Sequence, residues 1–271
     1  MVLTFLGTAA AEGFPAVFCN CKFCNEARRL GGKNIRTRSQ SIVNDDLLID
    51  IPADTYHHFL QNNIAGDKIK YLLVTHAHQD HFYPEELEMR HGAYAHDMRA
   101  PILKMLCSEY VKEKLEASGV NYGNVEVEVI EPFETKELGE YSVTALPARH
   151  MQGALFYMIK QGGKTIKHAN DTGYFFEEVF EYLEKNKVKL DMLAMDCTNV
   201  DIPISNNGSH MGFKNIEQLL KRLEEIGCVD DNTIKYVNHF SHNANPLQDV
   251  LEQRAGEYGC KVSFDGCRVE L

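Results

Sequence analysis

The sequence predicts an α/β fold, on three observations. Short apolar, β-rich runs alternate with helical stretches along the chain, which is the pattern of layered sheets and helices. One such run, 69–74, reads as a buried strand, and it gives way to His76, His78, Asp80 and His81 within a few residues. The carboxyl edge of a sheet is where α/β folds place ligands. No internal repeat, low-complexity tract or linker breaks the 271 residues, so one domain, 1–271, is expected.

The remaining elements follow in order. Residues 2–7 form a first strand, ending in the small-residue turn Gly7-Thr8-Ala9-Ala10-Ala11. Cys19, Cys21 and Cys24 come next. A C-x-C-x-x-C loop offers three thiolates, one ligand short of tetrahedral zinc; three free thiols are the alternative. Residues 28–38 carry Arg28, Arg29, Lys33, Arg36 and Arg38 with no acid between them. They are either a basic segment that helps to hold an anionic substrate or a solvated loop. Stretches 41–44 and 47–50 read as a hairpin turning at Asn44-Asp45-Asp46. Helix 54–63 follows, with His57 and His58 expected at the surface. Beyond the ligand run come a short helix, 84–90, with Pro84 near its start, and then His91 and His96, expected in solvent. Strand 102–107, helix 109–118 closed by Gly119, and strand 125–130 follow.

The second half repeats the alternation. Strand 141–145 runs into Pro147-Ala148-Arg149-His150. A hairpin, 154–161 with 164–168, turns at Gly162-Gly163 and leads to Asn170-Asp171-Thr172-Gly173. Helix 174–185, strand 190–197 and then Ser209-His210-Met211-Gly212 precede helix 213–226. Strand 233–237 enters Asn238-His239-Phe240-Ser241-His242. Helix 246–256 and a hairpin, 261–264 with 268–271, close the chain.

Composition narrows the function. Hydrophobic residues make up 44% of the chain, enough for a sizeable core. Lys and Arg number 28 against 39 Asp and Glu, a net charge of −11. Phosphate affinity needs clustered cations, so nucleic acid is disfavoured as a partner, while a small anionic substrate is not. No basic leader with a long apolar stretch opens the sequence, and no apolar run approaches the roughly 20 residues of a membrane span. A cytoplasmic protein without a membrane partner is expected. In such a reducing compartment grouped cysteines serve metals more often than disulfides. Cys107, Cys197, Cys228, Cys260 and Cys267 lack ligand spacing and read as buried or free thiols.

The spacing in 76–81 suits a pair of ions. His76 and His78 are two apart and point to one side of an extended segment, where they can grip one ion. A turn at Asp80-His81 can aim those two at a second. Imidazole with carboxylate suits zinc, and also iron or manganese.

Thr75-His76-Ala77-His78-Gln79-Asp80-His81 resembles the T-H-x-H-x-D-H signature of the metallo-β-lactamase superfamily. The resemblance implies a four-layer αβ/βα sandwich with a two-ion site between its sheets. It assigns His76, His78 and His150 to one ion, Asp80, His81 and His239 to the other, and Asp171 as the bridge; the local alternative for Asp171 is a helix cap. Asp50 and Asp54 match the family's L-I-D-x-G-x-D without its glycine. There they either orient a metal-bound imidazole or cap a helix. His242 is the expected fourth ligand, with Cys19, Cys21 and Cys24, of a structural zinc.

C-x-C-x-x-C and the late His239-x-x-His242 together resemble the branch that contains the phosphoribosyl cyclic phosphodiesterase of the carbon–phosphorus lyase pathway and a protein of pyrroloquinoline quinone biosynthesis. The resemblance implies a hydrolase of a small phosphodiester, acting through a hydroxide held by two Zn2+ or Mn2+ ions, with iron allowed. Asp80 and His210 are its expected catalytic residues, His210 as proton donor or substrate contact. A thioesterase or lactonase, or a non-catalytic metal carrier, is the rival reading. A tRNA-processing nuclease is disfavoured by the net charge. A homodimer is compatible with the sequence.

Overall fold

The apolar runs become strands buried on both faces, and their period-two alternation feeds three cores, with a small fourth cluster around Phe14 and Cys24. In the computed structural model, which describes residues 1–271, the first half runs β1 (Val2–Gly7), α1 (Lys22–Leu30), β2 (Gln40–Val43), β3 (Leu47–Ile49), α2 (Thr55–Gln61), β4 (Tyr71–Leu73), α3 (Glu85–Glu88), β5 (Leu103–Cys107), α4 (Glu109–Ser118) and β6 (Val125–Val129). The second half runs β7 (Thr135–Leu138), β8 (Tyr141–Pro147), β9 (Leu155–Gln161), β10 (Lys164–Ala169), α5 (Glu177–Lys185), β11 (Met192–Asp196), α6 (Phe213–Glu225), β12 (Ile234–Asn238), α7 (Gln248–Gly256), β13 (Lys261–Val262) and β14 (Cys267–Glu270). Two seven-stranded sheets result, ordered β14-β1-β2-β3-β4-β5-β6 and β13-β12-β11-β10-β9-β8-β7.

Alternate residues of one strand feed different cores. Leu155, Tyr157 and Ile159 of β9 join the core between the sheets, with Leu3, Phe5, Leu73 and Leu106. Phe156 and Met158 face the other way, onto Val179 and Phe180 of α5 and Ile216 and Leu219 of α6. On the far side, Met105 and Cys107 of β5 pack on Leu87, Val111 and Leu115 from α3 and α4. Helix, sheet, sheet and helix thus stack in the four layers expected.

The sheets also place the site. β3, β4 and β5 run parallel, as do β10, β11 and β12. Their carboxyl ends lead into residues 74–81, 170–173, 197–198 and 239–242. No helix is long and apolar enough to cross a membrane.

Three expectations need correction. The closing hairpin does not form, because β13 pairs with β12 in one sheet and β14 with β1 in the other. The link between them is anchored by Asp265, which accepts hydrogen bonds from Thr8 Oγ1 and Thr37 N, each at 2.6 Å. β7 was not expected: Thr-Lys-Glu-Leu sits at a sheet edge with Leu138 its one buried residue, so no apolar run marks it. His58 is buried rather than exposed, held by Gln40 Oε1 at 2.6 Å and Thr37 Oγ1 at 2.7 Å.

Lys167 is a buried amine with nothing to pair it. Its strand register points it into the helix-facing core, fully buried, with Nζ 3.9 Å from the Phe175 ring centre and no hydrogen-bond partner. Burial pushes its pKa down to about 7 from 10.5. Between those values the folded protein keeps the amine neutral while the unfolded chain binds a proton, so this residue makes stability rise with pH across that window. Lys167→Met is expected to stabilise the protein by about 1–3 kcal/mol at pH 7 and to flatten the gain between pH 7 and 9. Urea unfolding of both proteins at the two pH values checks this; equal pH slopes would contradict it.

Candidate metal centre

The loop after β4 is built to turn its side chains inward. Val74 N still bonds Leu106 O at 3.0 Å, and then His81 N and Phe82 N both return to His78 O, at 3.0 and 2.8 Å. That tight turn carries Asp80 and His81 back beneath His76. Asp50 fixes the arrangement from below. It is fully buried and accepts from Thr75 N at 2.8 Å and Thr75 Oγ1 at 2.9 Å, while His81 Nδ1 donates to it at 2.7 Å. Asp50 therefore orients an imidazole. Asp54, in contrast, neither orients one nor caps α2 with its side chain: it accepts from Arg38 N at 2.9 Å.

The structure brings together all seven side chains assigned to the two-ion site. His76, His78, His150 and Asp171 form one cluster, and Asp80, His81, Asp171 and His239 a second, each with donor atoms within 4.8 Å of one another. Asp171 belongs to both. It does not cap α5, whose N-cap position is Phe176. Its Oδ2 lies 3.0 Å from His76 Nε2, 3.2 Å from His81 Nε2, 3.4 Å from His150 Nε2 and 3.8 Å from His239 Nε2.

Hydrogen bonds on the far side of each ring decide what faces the centre. Thr75 Oγ1 lies 3.0 Å from His76 Nδ1, Ser209 O 3.3 Å from His150 Nδ1, and Thr198 Oγ1 2.8 Å from His239 Nδ1. With Nδ1 donating, every Nε2 turns a lone pair inward. His78 enters the other way round, its Nδ1 3.1 Å from His76 Nε2 and 3.0 Å from His150 Nε2. Lone pairs converging on one another and on a carboxylate repel unless a cation lies among them. Nitrogens bound to one tetrahedral zinc at about 2.0–2.1 Å stand about 3.3 Å apart, close to these separations. The donor set fits divalent ions.

The titration shifts show the same demand for positive charge. Burial opposes a charge on His81, yet Asp50 and Asp80 hold its pKa well above the usual histidine value. Burial likewise opposes ionisation of Asp171, and the imidazoles of His239, His210, His76 and His81 outweigh it, holding the carboxyl well below its usual range.

His210 completes the ring. Gly173 lets it approach: a Cβ there would meet Gly208 O at 1.8 Å, so only glycine allows the 205–210 loop to seat against the Asp171 turn. His210 does not cap α6, where Asn215 Oδ1 accepts from Gly212 N at 3.0 Å. Instead its Nδ1 stands 3.0 Å from both Asp171 Oδ1 and Asp196 Oδ2. Despite burial, Asp196 and Asp171 push its pKa up to about 11.

Asp196 was not singled out from the sequence. Fully buried, it also accepts from Thr198 N at 3.0 Å and Met211 N at 2.9 Å, and so orients His210 directly and His239 through Thr198. Its signal was present in Asp196-Cys197-Thr198, polar residues ending a buried strand.

A second donor set lies one loop away. Cys19, Cys21, Cys24 and His242 have ligand atoms within 4.8 Å of one another. His242 Nδ1 is 3.8 Å from Cys21 Sγ and 3.5 Å from Cys24 Sγ, against about 3.5 Å for sulfur and nitrogen sharing a tetrahedral zinc. All eight cysteines are unpaired. The other five are buried, with no counterpart to this grouping.

The basic segment forms no substrate clamp, and Arg28, Arg29 and Lys33 stay exposed as a solvated stretch would, but Arg36 departs from that reading. Arg36 is fully buried over the Phe240 ring, with Nη1 donating to Thr8 Oγ1 and Ser263 O, each at 2.8 Å. Arg28 Nη2 holds Ala16 O and Cys19 O at 2.9 Å, bracing the cysteine loop. None of the five cations lines the pocket over Asp171. His91 and His96 do not line it either.

Residues 47–240 match the family model of the beta-lactamase superfamily domain. The chain belongs to that superfamily. Among solved structures, it is similar to a diphosphatase of the PhnP family, with a TM-score of 0.76 and 20% identity over 100% of this chain and 97% of that one. It is similar to zinc-bound PqqB from Methylobacterium extorquens, with a TM-score of 0.77 and 18% identity over 100% of both chains. The short form of human tRNase Z gives 0.66 and 15%, over 100% and 99%. No curated protein sequence matches this one.

Two substitutions test the donor sets. Asp50→Asn frees the His81 ring, and loss of such an orienting carboxylate typically costs about 10–100-fold in metal affinity. A fall of that size in a zinc titration is expected; unchanged affinity would remove Asp50 from the account. Cys21→Ser is expected to cost one ion per chain by elemental analysis and to lower the melting midpoint by roughly 5–10 °C, at about 2–4 °C for each kcal/mol. Unchanged metal content and midpoint would count against a structural zinc.

Proposed function

We propose that the protein is a metal-dependent hydrolase of a small anionic phosphodiester. The observation that carries this reading is the shared position of Asp171 Oδ2 among four imidazole nitrogens, with His210 on the other carboxylate oxygen. His76, His78, His150 and Asp171 would hold one divalent ion, zinc, manganese or iron by donor type, and Asp80, His81, Asp171 and His239 a second. A pair of ions supplies Lewis acidity and a nucleophile drawn from water at neutral pH.

The residues of the chain fill the other roles. The pocket of about 300 Å³ contains no thiol, and its two hydroxyls are engaged. Thr198 donates to Asp196 Oδ2 at 3.0 Å and Ser241 to Glu12 Oε1 at 2.6 Å. The pocket thus offers no thiol and no unpartnered hydroxyl as a nucleophile, which supports direct displacement by water. Asp80 faces the pocket beside the imidazoles. His210, its Nδ1 bonded to Asp196 Oδ2 and 3.0 Å from Asp171 Oδ1, keeps its proton near neutral pH and offers its Nε2–H to a phosphoryl or leaving oxygen. That is a hydrogen bond that strengthens as charge develops.

The lining also supports this reading over a thioesterase or a nuclease. Ala10 and Ala11 are the two apolar residues among eleven, which leaves little surface for the acyl chain of a thioester. No lysine or arginine lines it to track a polynucleotide backbone. The protein's similarity to a PhnP-family diphosphatase supports phosphorus chemistry.

Zinc- or manganese-loaded protein is expected to hydrolyse bis(p-nitrophenyl) phosphate ahead of a thioester or a lactone. Turnover of the thioester or lactone alone would reverse the assignment, and turnover of none would favour a metal carrier. His210→Gln is expected to lower kcat by about 10²–10³-fold, the usual cost of one donor to developing charge, with metal content unchanged. A kcat within twofold of the parent would take His210 out of the reaction.

A further inference from the structure

Glu12 is the one acid of the pocket that belongs to neither ion cluster. Its turn is fastened on both sides. Ala10 N donates to Phe240 O at 3.0 Å, Gly13 N to Ala10 O at 2.9 Å, and Arg38 Nε to Ala11 O at 3.2 Å. The carboxylate engages the protein through Oε1, which accepts from Ser241 Oγ at 2.6 Å and lies 3.8 Å from His242 Nε2. That leaves Oε2 for a ligand. The wall around it holds no lysine or arginine, so the positive charge of the pocket comes from His210 and the ion-binding cluster.

We infer that Glu12 sets the charge and donor requirement of the substrate. The phosphodiester accepted here carries its single negative charge at the reacting phosphorus and presents a hydroxyl to Glu12 Oε2. The inference rests on the phosphodiester reading above. A hydroxyl there makes a charge-assisted hydrogen bond. A second phosphate there meets a carboxylate, and the guanidinium of Arg38, which holds the Ala11 carbonyl at 3.2 Å, is already paired with Asp54 Oδ1 at 3.3 Å. Selectivity of this kind uses repulsion of the wrong ligand as much as attraction of the right one. The contact of Glu12 with His242 gives it a competing, purely structural role as the carboxylate that orients a zinc-bound imidazole. The two roles predict different results.

The test uses the metal-loaded full chain and two chromogenic diesters with the same leaving group: thymidine 5′-(p-nitrophenyl phosphate) and its 3′-phosphorylated analogue. The parent is expected to favour the hydroxyl-bearing ester by about tenfold or more in kcat/KM, the scale of one like-charge contact at a partly solvated site. Glu12→Gln is expected to shrink that ratio several-fold, chiefly by raising kcat/KM for the 3′-phosphorylated ester. A parallel fall for both esters, with the ratio fixed, would reduce Glu12 to support of His242 and overturn the inference. Calorimetric binding of thymidine 5′-monophosphate against thymidine 3′,5′-bisphosphate reads the same rule without turnover. If neither ester is hydrolysed but the binding ratio still narrows in Glu12→Gln, the phosphodiester reading fails alone. An unchanged binding ratio sinks the inference by itself.

Discussion

The carboxylate of Asp171 is the constraint on which the rest depends. It is buried between the sheets, and five imidazoles crowd it, four on Oδ2 and one on Oδ1. A buried charge among inward-facing lone pairs is costly without a cation. The surrounding structure is arranged to hold those lone pairs in place rather than to relieve them. Asp50, Thr75, Ser209 and Thr198 each occupy the far nitrogen of one ring. Asp171 itself sits at φ 54, a left-handed conformation uncommon outside glycine, kept by the β10 strand before it and by Gly173 packed under the 208 carbonyl after it. The binding energy of ions is the term that offsets this arrangement.

The two donor sets share one scaffold. β12 delivers His239 to the pocket, and three residues later the same loop delivers His242 to the cysteines. Ser241 lies between them, bonded to Glu12. Ala9, in the first turn of the chain, pairs with both Phe240 and Arg38, and Arg36 fills the space beneath with its guanidinium over Phe240. The cysteine loop and the pocket are therefore joined by a few direct contacts. Arg36 is thus the buried cation of the 28–38 stretch, while Arg28, Arg29 and Lys33 stay at the surface.

Much of this was legible in the sequence, for physical reasons that can be named. Ligand spacing after an apolar strand, as at 76–81, is a local signal, and so is C-x-C-x-x-C. His150, Asp171 and His239 are single residues far apart in the chain. Nothing local distinguishes them from ordinary turn residues, and it was the family resemblance that marked them before the fold brought them together. Asp196 and Glu12 act through contacts the sheets create, so their spacing carries no message. The closing hairpin failed because two short β-rich runs around Phe264-Asp265-Gly266 look alike whether they pair with each other or with different sheets. His58 and Arg36 are polar residues whose burial depends on partners as distant as Gln248, which no window of sequence displays.

The central claim is that Asp171 is shared by two ions. Anomalous diffraction at the zinc edge, from crystals of the zinc-loaded protein, tests it most directly. The account predicts two peaks flanking the Asp171 carboxylate and a third among Cys19, Cys21, Cys24 and His242. A single peak in the pocket, or none beside Asp171, would contradict it.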